Sequence, residues 1–383
     1  MKSLDQSSIR KQNILRILHL LTRQSPRTRQ SLAEATGLSL MTVTNLVDQL
    51  KEQQALALTP VERCSEAKRS SGRKAENISL SGVRHAWLIV DLSGSSFRFT
   101  LLGFDLSVIL EKTYAAEGDY LPRLEAFLRS VKEEITLPLC GRDLLGVAVV
   151  APGPYEIASD TVYNQRLPEL NNVRIKALMT RCLGEYDYYV DEDVKFAVRA
   201  FSPLVEDDPC ELLYYLYIGE GVGGAAVHNG NMLRGLNATA GDAGQLTTPG
   251  GATYESLLSL PAFAATLGCR GDSIRQLTES LSCCAANRPD DYLHALGCSA
   301  NVVSEMLYNV LWVLDPSHII VDCRYALDHQ DAFIRRIADS LSLRLSASGK
   351  RFPLIAPAPQ GISSVIRGAV LVLQREWIER ILA

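Results

Sequence analysis

A winged helix-turn-helix followed by a larger α/β body is the fold the sequence predicts, on three observations. Apolar residues recur at helical spacing through the first fifty positions and then give way to two short strand-like runs. From Trp87 onward, strand and helix patterns alternate around Gly-rich turns, the mark of an α/β class. Charge divides at the same place: residues 1–80 hold 13 Lys/Arg against 7 Asp/Glu, and the remainder holds 26 against 36. A basic module on an acidic body points to nucleic-acid contact by the module alone.

In the module, Ile14, Leu15, Leu18 and Leu21 define a first helix that ends at Ser25-Pro26. A second runs from Thr28 to Thr36, where Gly37 can take the left-handed conformation that stops it. Ser39 then caps a third, Leu40 to Lys51. Val43, Leu46, Val47 and Leu50 share its apolar face, so Met41, Thr44, Asn45, Asp48 and Gln49 point outward. Spacing alone also fits a plain helical hairpin, but the strand at Leu56, Leu58 and Val61, the polar turn Cys64–Ser71 and the returning strand Ile78–Leu80 read as a wing. Arg73, in Gly72-Arg73-Lys74, is placed to enter a minor groove. Arg27, Arg29, Lys68, Arg69 and Lys74 are the candidates for phosphate, which positions without specifying. Thr42, Thr44, Asn45 and Gln49 are the candidates for base reading, with the cap Ser39 beside them in the expected DNA-binding set.

In the body, Leu88–Leu92 is a buried strand entering the turn Ser93-Gly94-Ser95-Ser96, with Phe97, Phe99 and Leu101 alternating behind it. A hairpin carrying an Asp, a Gly and hydroxyls can cradle phosphate, though most such turns are only turns. Leu212–Ile218 runs into Gly219-Glu220-Gly221-Val222-Gly223-Gly224, whose amides could hold an anion but for the carboxylate at its centre. Val302, Val303, Met306, Leu307, Val310 and Leu311 form a core helix before the strand Ile319–Val321, and Val365–Leu382 forms the last helix.

Composition is ordinarily globular at 47% apolar and 21% charged, which excludes disordered, collagenous and coiled-coil chains. No apolar run reaches the ~18 residues of a membrane span. The polar N-terminus carries no leader pattern, so a cytoplasmic location without membrane contact is expected. Nine scattered cysteines fit reduced thiols better than a disulfide framework or zinc site.

The order of motifs resembles the ROK family (repressor, open reading frame, kinase), and specifically its winged-helix repressors. The likeness rests on Arg29-Gln30-Ser31-Leu32-Ala33, Thr36-Gly37-Leu38-Ser39, Thr42-Val43 and Gly72-Arg73 in the module. It continues through Asp91-Leu92-Ser93-Gly94-Ser95, Ala151-Pro152-Gly153-Pro154, Asp191-Glu192-Asp193, the 219–224 loop, Ala240–Gln245, Asp315-Pro316 and Gly368-Ala369. It implies an actin-like, ribonuclease-H-type body of two α/β lobes with a sugar cleft. The corresponding divisions are 1–82 for the module, 83–192 plus 366–383 for the first lobe, and 193–365 for the second.

Against that family the phosphate motifs are altered: Ser93 stands for a glycine, Glu220 for a hydroxyl residue, and Asp322-Cys323 for a Gly-Gly. Each change adds bulk or negative charge where ATP would lie, so the expectation is no nucleotide cofactor and no enzyme. The zinc motif is absent, Thr248–Glu255 standing in its place, and Gln245 replaces the ligand His, so no metal is expected. On the sugar side, Asp193 matches the family's general base, with Glu192, Asp242, Gln245 and Glu255 around the same ligand. The resemblance therefore implies a homodimeric or homotetrameric repressor of carbohydrate genes, binding a double-stranded operator and gated by a sugar or sugar phosphate. Its alternatives are a sugar kinase that also binds DNA, and a regulator switched by a protein partner.

Overall fold

The computed structural model describes residues 6–60, 76–93, 96–115, 118–164, 167–202, 211–346, 348–359 and 363–382. Three helices open it: α1 (Gln6–Arg23), α2 (Arg29–Thr36) and α3 (Leu40–Glu52). Extended Thr28 accepts the Ser31 amide to start α2, which stops at Gly37 with φ 70°, a conformation glycine adopts without a Cβ clash. Ser39 starts α3 in the same way by accepting the Thr42 amide. The apolar face of α3 packs with Ile14, Ile17, Leu18, Leu21 and Leu32. Strands β1 (Leu56–Pro60) and β2 (Glu76–Leu80) then pair antiparallel, Leu56 opposite Leu80. Arg27 adds a backbone bridge to Ile78. Lys68, Arg69, Arg73 and Lys74 lie outside the described residues.

The first lobe comprises β3 (His85–Asp91), β4 (Ser96–Gly103), β5 (Val108–Ala115), α4 (Tyr120–Thr136) and β6 (Asp143–Ala151), then β7 (Tyr155–Glu156), β8 (Thr161–Val162), α5 (Ile175–Leu183) and β9 (Tyr188–Glu192). Its main sheet is ordered β5-β4-β3-β6-β9. Buried runs in β3 and β6 suit strands covered on both faces, and the two pair in parallel.

Helix α6 (Asp193–Arg199) leads to the second lobe. That lobe contains β10 (Leu212–Ile218), β11 (Val222–His228), β12 (Asn231–Met232), α7 (Tyr254–Leu258), α8 (Leu260–Thr266) and α9 (Ile274–Asn287). It continues with α10 (Pro289–Val313), β13 (His318–Cys323), α11 (Gln330–Leu345) and β14 (Leu354–Pro357). Its sheet is β12-β11-β10-β13-β14, the same order relative to chain direction as the first. The expected apolar stripe is the C-terminal half of α10, with Val303, Met306, Leu307, Val310 and Leu311 in the core. Gly223 and Gly224 belong to β11 and not to the turn before it; a Cβ on Gly224 would fall 2.2 Å from the Tyr214 hydroxyl.

The final helix α12 (Ser364–Leu382) returns to the first lobe and lies between α6, β6 and α1. Its closest approach is at Gly368, where a Cβ would stand 1.6 Å from the Phe196 carbonyl oxygen of α6. The module does not hang free. Its apolar core is continuous with Trp87, Phe104, Leu373, Trp377 and Ile378, and the His85 imidazole donates to the Gln53 carbonyl at 2.7 Å. Among the described residues no helix is long and apolar enough to cross a membrane.

Candidate functional site

The site lies where β9 ends and α6 begins. Glu192 is extended (φ −81°, ψ 159°), and the chain then turns into α6. The Asp193 carboxylate accepts the Val194 amide at 2.7 Å, a local bond that competes for one acidic oxygen. Burial raises the Asp193 carboxyl to about 6; the Val194 bond opposes this, Asp91 and Glu192 add to it, and Lys195 pulls back. Asp242, just before a short 3-10 turn at Ala243–Gln245, is likewise raised to about 6 by burial, against the Gly244 amide and with Glu255 and Glu192 adding. Its Oδ1 is buried without a partner among the described residues. Two carboxyls poised in this way can accept from, or exchange a proton with, a ligand hydroxyl.

Four of the five expected sugar residues thus come together electrostatically: Glu192, Asp193, Asp242 and Glu255. Gln245 follows Asp242 by three residues and is solvent-exposed. Glu255 has a second engagement, since its Oε2 accepts the Val222 amide at 3.2 Å, tying α7 to the glycine turn before β11.

Sequence reasoning passed over the cations of the site. Lys195, 2% exposed, donates to Glu192 and to the Ala238 carbonyl. Glu192 also accepts the Tyr155 amide at 2.9 Å, beneath Gly153, where a Cβ would lie 2.5 Å from its Oε2. Buried Asp191 takes a two-pronged bond from Arg234 at 3.1 and 2.6 Å, the planar geometry in which Arg exceeds Lys. The one sequence signal was the i,i+3 spacing of Glu192 and Lys195; Arg234 and Ala238 are brought in by the fold.

At the phosphate end, Ser93 donates its hydroxyl to Asp91 at 2.6 Å and its amide at 3.0 Å, so the side chain gained there occupies the carboxylate. Asp322 accepts from the Tyr215 hydroxyl at 2.7 Å and pairs with Arg324 at 3.5 Å. A cavity of about 530 Å³ beside β13 is lined by Asp322, Cys323, Arg324, Gln330 and Ser364 among others.

On the module, Asn45 is exposed on α3, while Thr42 bonds Ser39 at 2.8 Å and Thr44 donates to the Leu40 carbonyl at 2.8 Å. Gln49 accepts from Arg10 at 2.9 Å. Arg27 donates to Gln24 and Ser31. Arg29 is held by Asp48 and Glu76, at 2.9 and 2.7 Å, and links α2, α3 and β2.

Two like-ordered sheets joined through α6, with carboxylate acceptors at its start, define a two-lobed α/β body with its acidic cluster between the sheets' ends. The ROK family profile matches residues 88–376, and the chain belongs to the ROK family. An N-acetyl-D-glucosamine kinase of Yersinia pseudotuberculosis is 24% identical over 304 residues, 74% of this chain and 97% of that protein. Among solved structures, a ROK family transcriptional regulator described as a homolog of the E. coli MLC protein superposes with TM-score 0.66 at 15% identity, covering 97% of each chain. A ROK glucokinase from Streptomyces griseus, solved with glucose and AMPPNP, superposes at 0.60 with 16% identity, over 74% of this chain and 98% of its own. These relatives correct the expectation that the chain is no enzyme. Proteins named as sugar kinases share the body nearly end to end, and substituted phosphate turns do not separate this chain from them.

Proposed function

We propose that the protein is a sugar-binding transcriptional regulator. Its N-terminal helices and strand pair act as a winged helix-turn-helix, and its cleft binds a sugar through Glu192, Asp193, Asp242, Gln245 and Glu255. One observation carries the reading: the basic module, with Asn45 exposed on α3, shares a continuous apolar core with the body through α12. A DNA reader joined this way is not an independent appendage, and ligand-driven movement of the lobes has a packed route to it. The ROK regulator that superposes over the whole chain supports the same reading. A homo-oligomer would set two α3 helices about one DNA turn, ~34 Å, apart.

A second reading, phosphoryl transfer to a sugar, is favoured by the open cavity beside β13 and by Asp193 in the position of a general base. One experiment addresses both. The protein is titrated with D-glucose and N-acetyl-D-glucosamine, each with and without ATP-Mg, while thermal stability, ADP release and binding to selected DNA are followed. Regulation requires that sugar change DNA affinity and that DNA change sugar affinity by the same factor. ADP release abolished by Asp193→Asn would establish the kinase reading; a sugar shift with unchanged DNA binding removes the gating. On DNA, Asn45→Ala should relax sequence preference by about 1–3 kcal/mol at its base, and Arg73→Ala should weaken binding.

A further inference from the structure

We propose that Lys195 is a positioning residue of the cleft: a buried ammonium that clamps the two lobes behind the sugar site and holds Asp193 and Asp242 in place. The proposal deepens the sugar-site reading and rests on it for the ligand, though not for the clamp itself. Lys195 sits in the first turn of α6, 2% exposed. On one side it donates to Glu192, at the end of β9 in the first lobe. Glu192 in turn accepts the Tyr155 amide at 2.9 Å and packs under Gly153, so the ammonium fixes the 151–155 turn at one remove. On the other side it donates to the Ala238 carbonyl, in the segment between β12 and Asp242. Arg234, in that same segment, grips Asp191 of β9 at 3.1 and 2.6 Å. Two cations thus fasten one second-lobe loop to one first-lobe strand.

An aliphatic side chain at 195 would leave the half-buried Glu192 carboxylate without its cation, the costly half of a broken ion pair. It would also release the loop that presents Asp242. Electrostatics add a second role. Asp193 is faced by Asp91, Glu192, Tyr215, Tyr217 and Lys195, and Asp242 by Glu255, Glu192, Tyr214 and Lys195. Lys195 is the cation common to both sets, favouring their ionised, hydrogen-bond-accepting forms.

The test uses Lys195→Met, Lys195→Gln, Lys195→Arg and the double variant Glu192→Gln/Lys195→Gln in the full chain. Amide hydrogen exchange, which needs no ligand, should rise in Lys195→Met at both 151–156 and 236–243, and not along α6 alone. Affinity for D-glucose and N-acetyl-D-glucosamine, measured from pH 5 to 8, should fall at least about tenfold in Lys195→Gln, with the pH midpoint displaced upward. The double variant, with two uncharged partners, should return exchange in both loops toward wild type and move the midpoint back, because it removes the acid and the cation together. Wild-type exchange in both loops of a folded Lys195→Met protein overturns the clamp, and an unmoved midpoint in Lys195→Gln overturns the electrostatic role. If wild type binds neither sugar, the sugar-site reading falls while the exchange result still decides the clamp.

Discussion

Asp193 and Asp242 each carry a conflict that can be measured. Both carboxyls stand at about 6 in the folded chain against an ordinary 3.8, with burial as the first cause. The fold therefore binds protons that the unfolded chain has released. The stability this gives is complete below pH 3.8 and is lost as pH rises through about 6, the reverse of a salt-bridged acid. In the proposed sugar site, binding draws on the ionised acceptor and should run the other way, weakening as pH falls through about 6. Asp193→Asn or Asp242→Asn should accordingly raise the melting temperature at pH 8 by a few degrees, roughly 2–4 °C per kcal/mol for a domain of this size. The gain should shrink at pH 4.5, and sugar affinity should fall. Thermal denaturation at the two pH values decides it; an equal shift at both would mean that the carboxyls are not destabilised by ionisation. Such a conflict is expected of residues kept for function.

Among the elements, the α6–α12 crossing is the tightest. Gly368 brings the helix backbones together, and the methyl of Gly368→Ala would meet the Phe196 carbonyl oxygen at 1.6 Å. Gly297, in the middle of α10, has nothing within 4 Å of the same position. The two substitutions should differ in sign: Gly368→Ala costs on the order of 1–3 kcal/mol or more as the helices part, and Gly297→Ala gains about 0.5–1 kcal/mol of helix propensity. Paired denaturant unfolding curves test the contrast, and equal effects would refute it. Sequence legibility follows the same division between local and distant causes. Thr28, Gly37 and Ser39 announced the ends of α2 and α3, because a cap is settled within four residues. Asp193 and Asp242 were legible as motif residues. Arg29 read only as a candidate phosphate contact because its partners Asp48 and Glu76 are brought to it by the packing of α3 and β2. Lys195 was passed over for a similar reason: one of its partners, Ala238, is 43 positions away. The glycines at 223 and 224 read as a loop because what surrounds them comes from afar: Tyr214 and Gly241 crowd Gly224, and Val194 of α6 stands against Gly223.

Across the whole molecule, the module shares one apolar cluster with one face of the first lobe's sheet and with α12, so these parts should unfold as one cooperative block. Trp87 and Trp377 are buried in that block, whereas Trp312 on α10 is 51% exposed beside Lys350. In a Trp312→Phe background, fluorescence reports the block alone. Leu18→Ala, a fully buried deletion in α1, removes about 2–5 kcal/mol and should lower the fluorescence transition as much as the loss of helical signal. A fluorescence transition left in place would make the module an independent folding unit. The position of α12 also bears on how the protein comes into being. Module, β3 and β6 leave the ribosome early, but the helix that closes their shared core is translated after both sheets are complete, and at about 5–20 residues per second that wait is tens of seconds. During it the module lacks its last packing surface, so a nascent or prematurely terminated chain does not hold α1, α2 and α3 on their finished support.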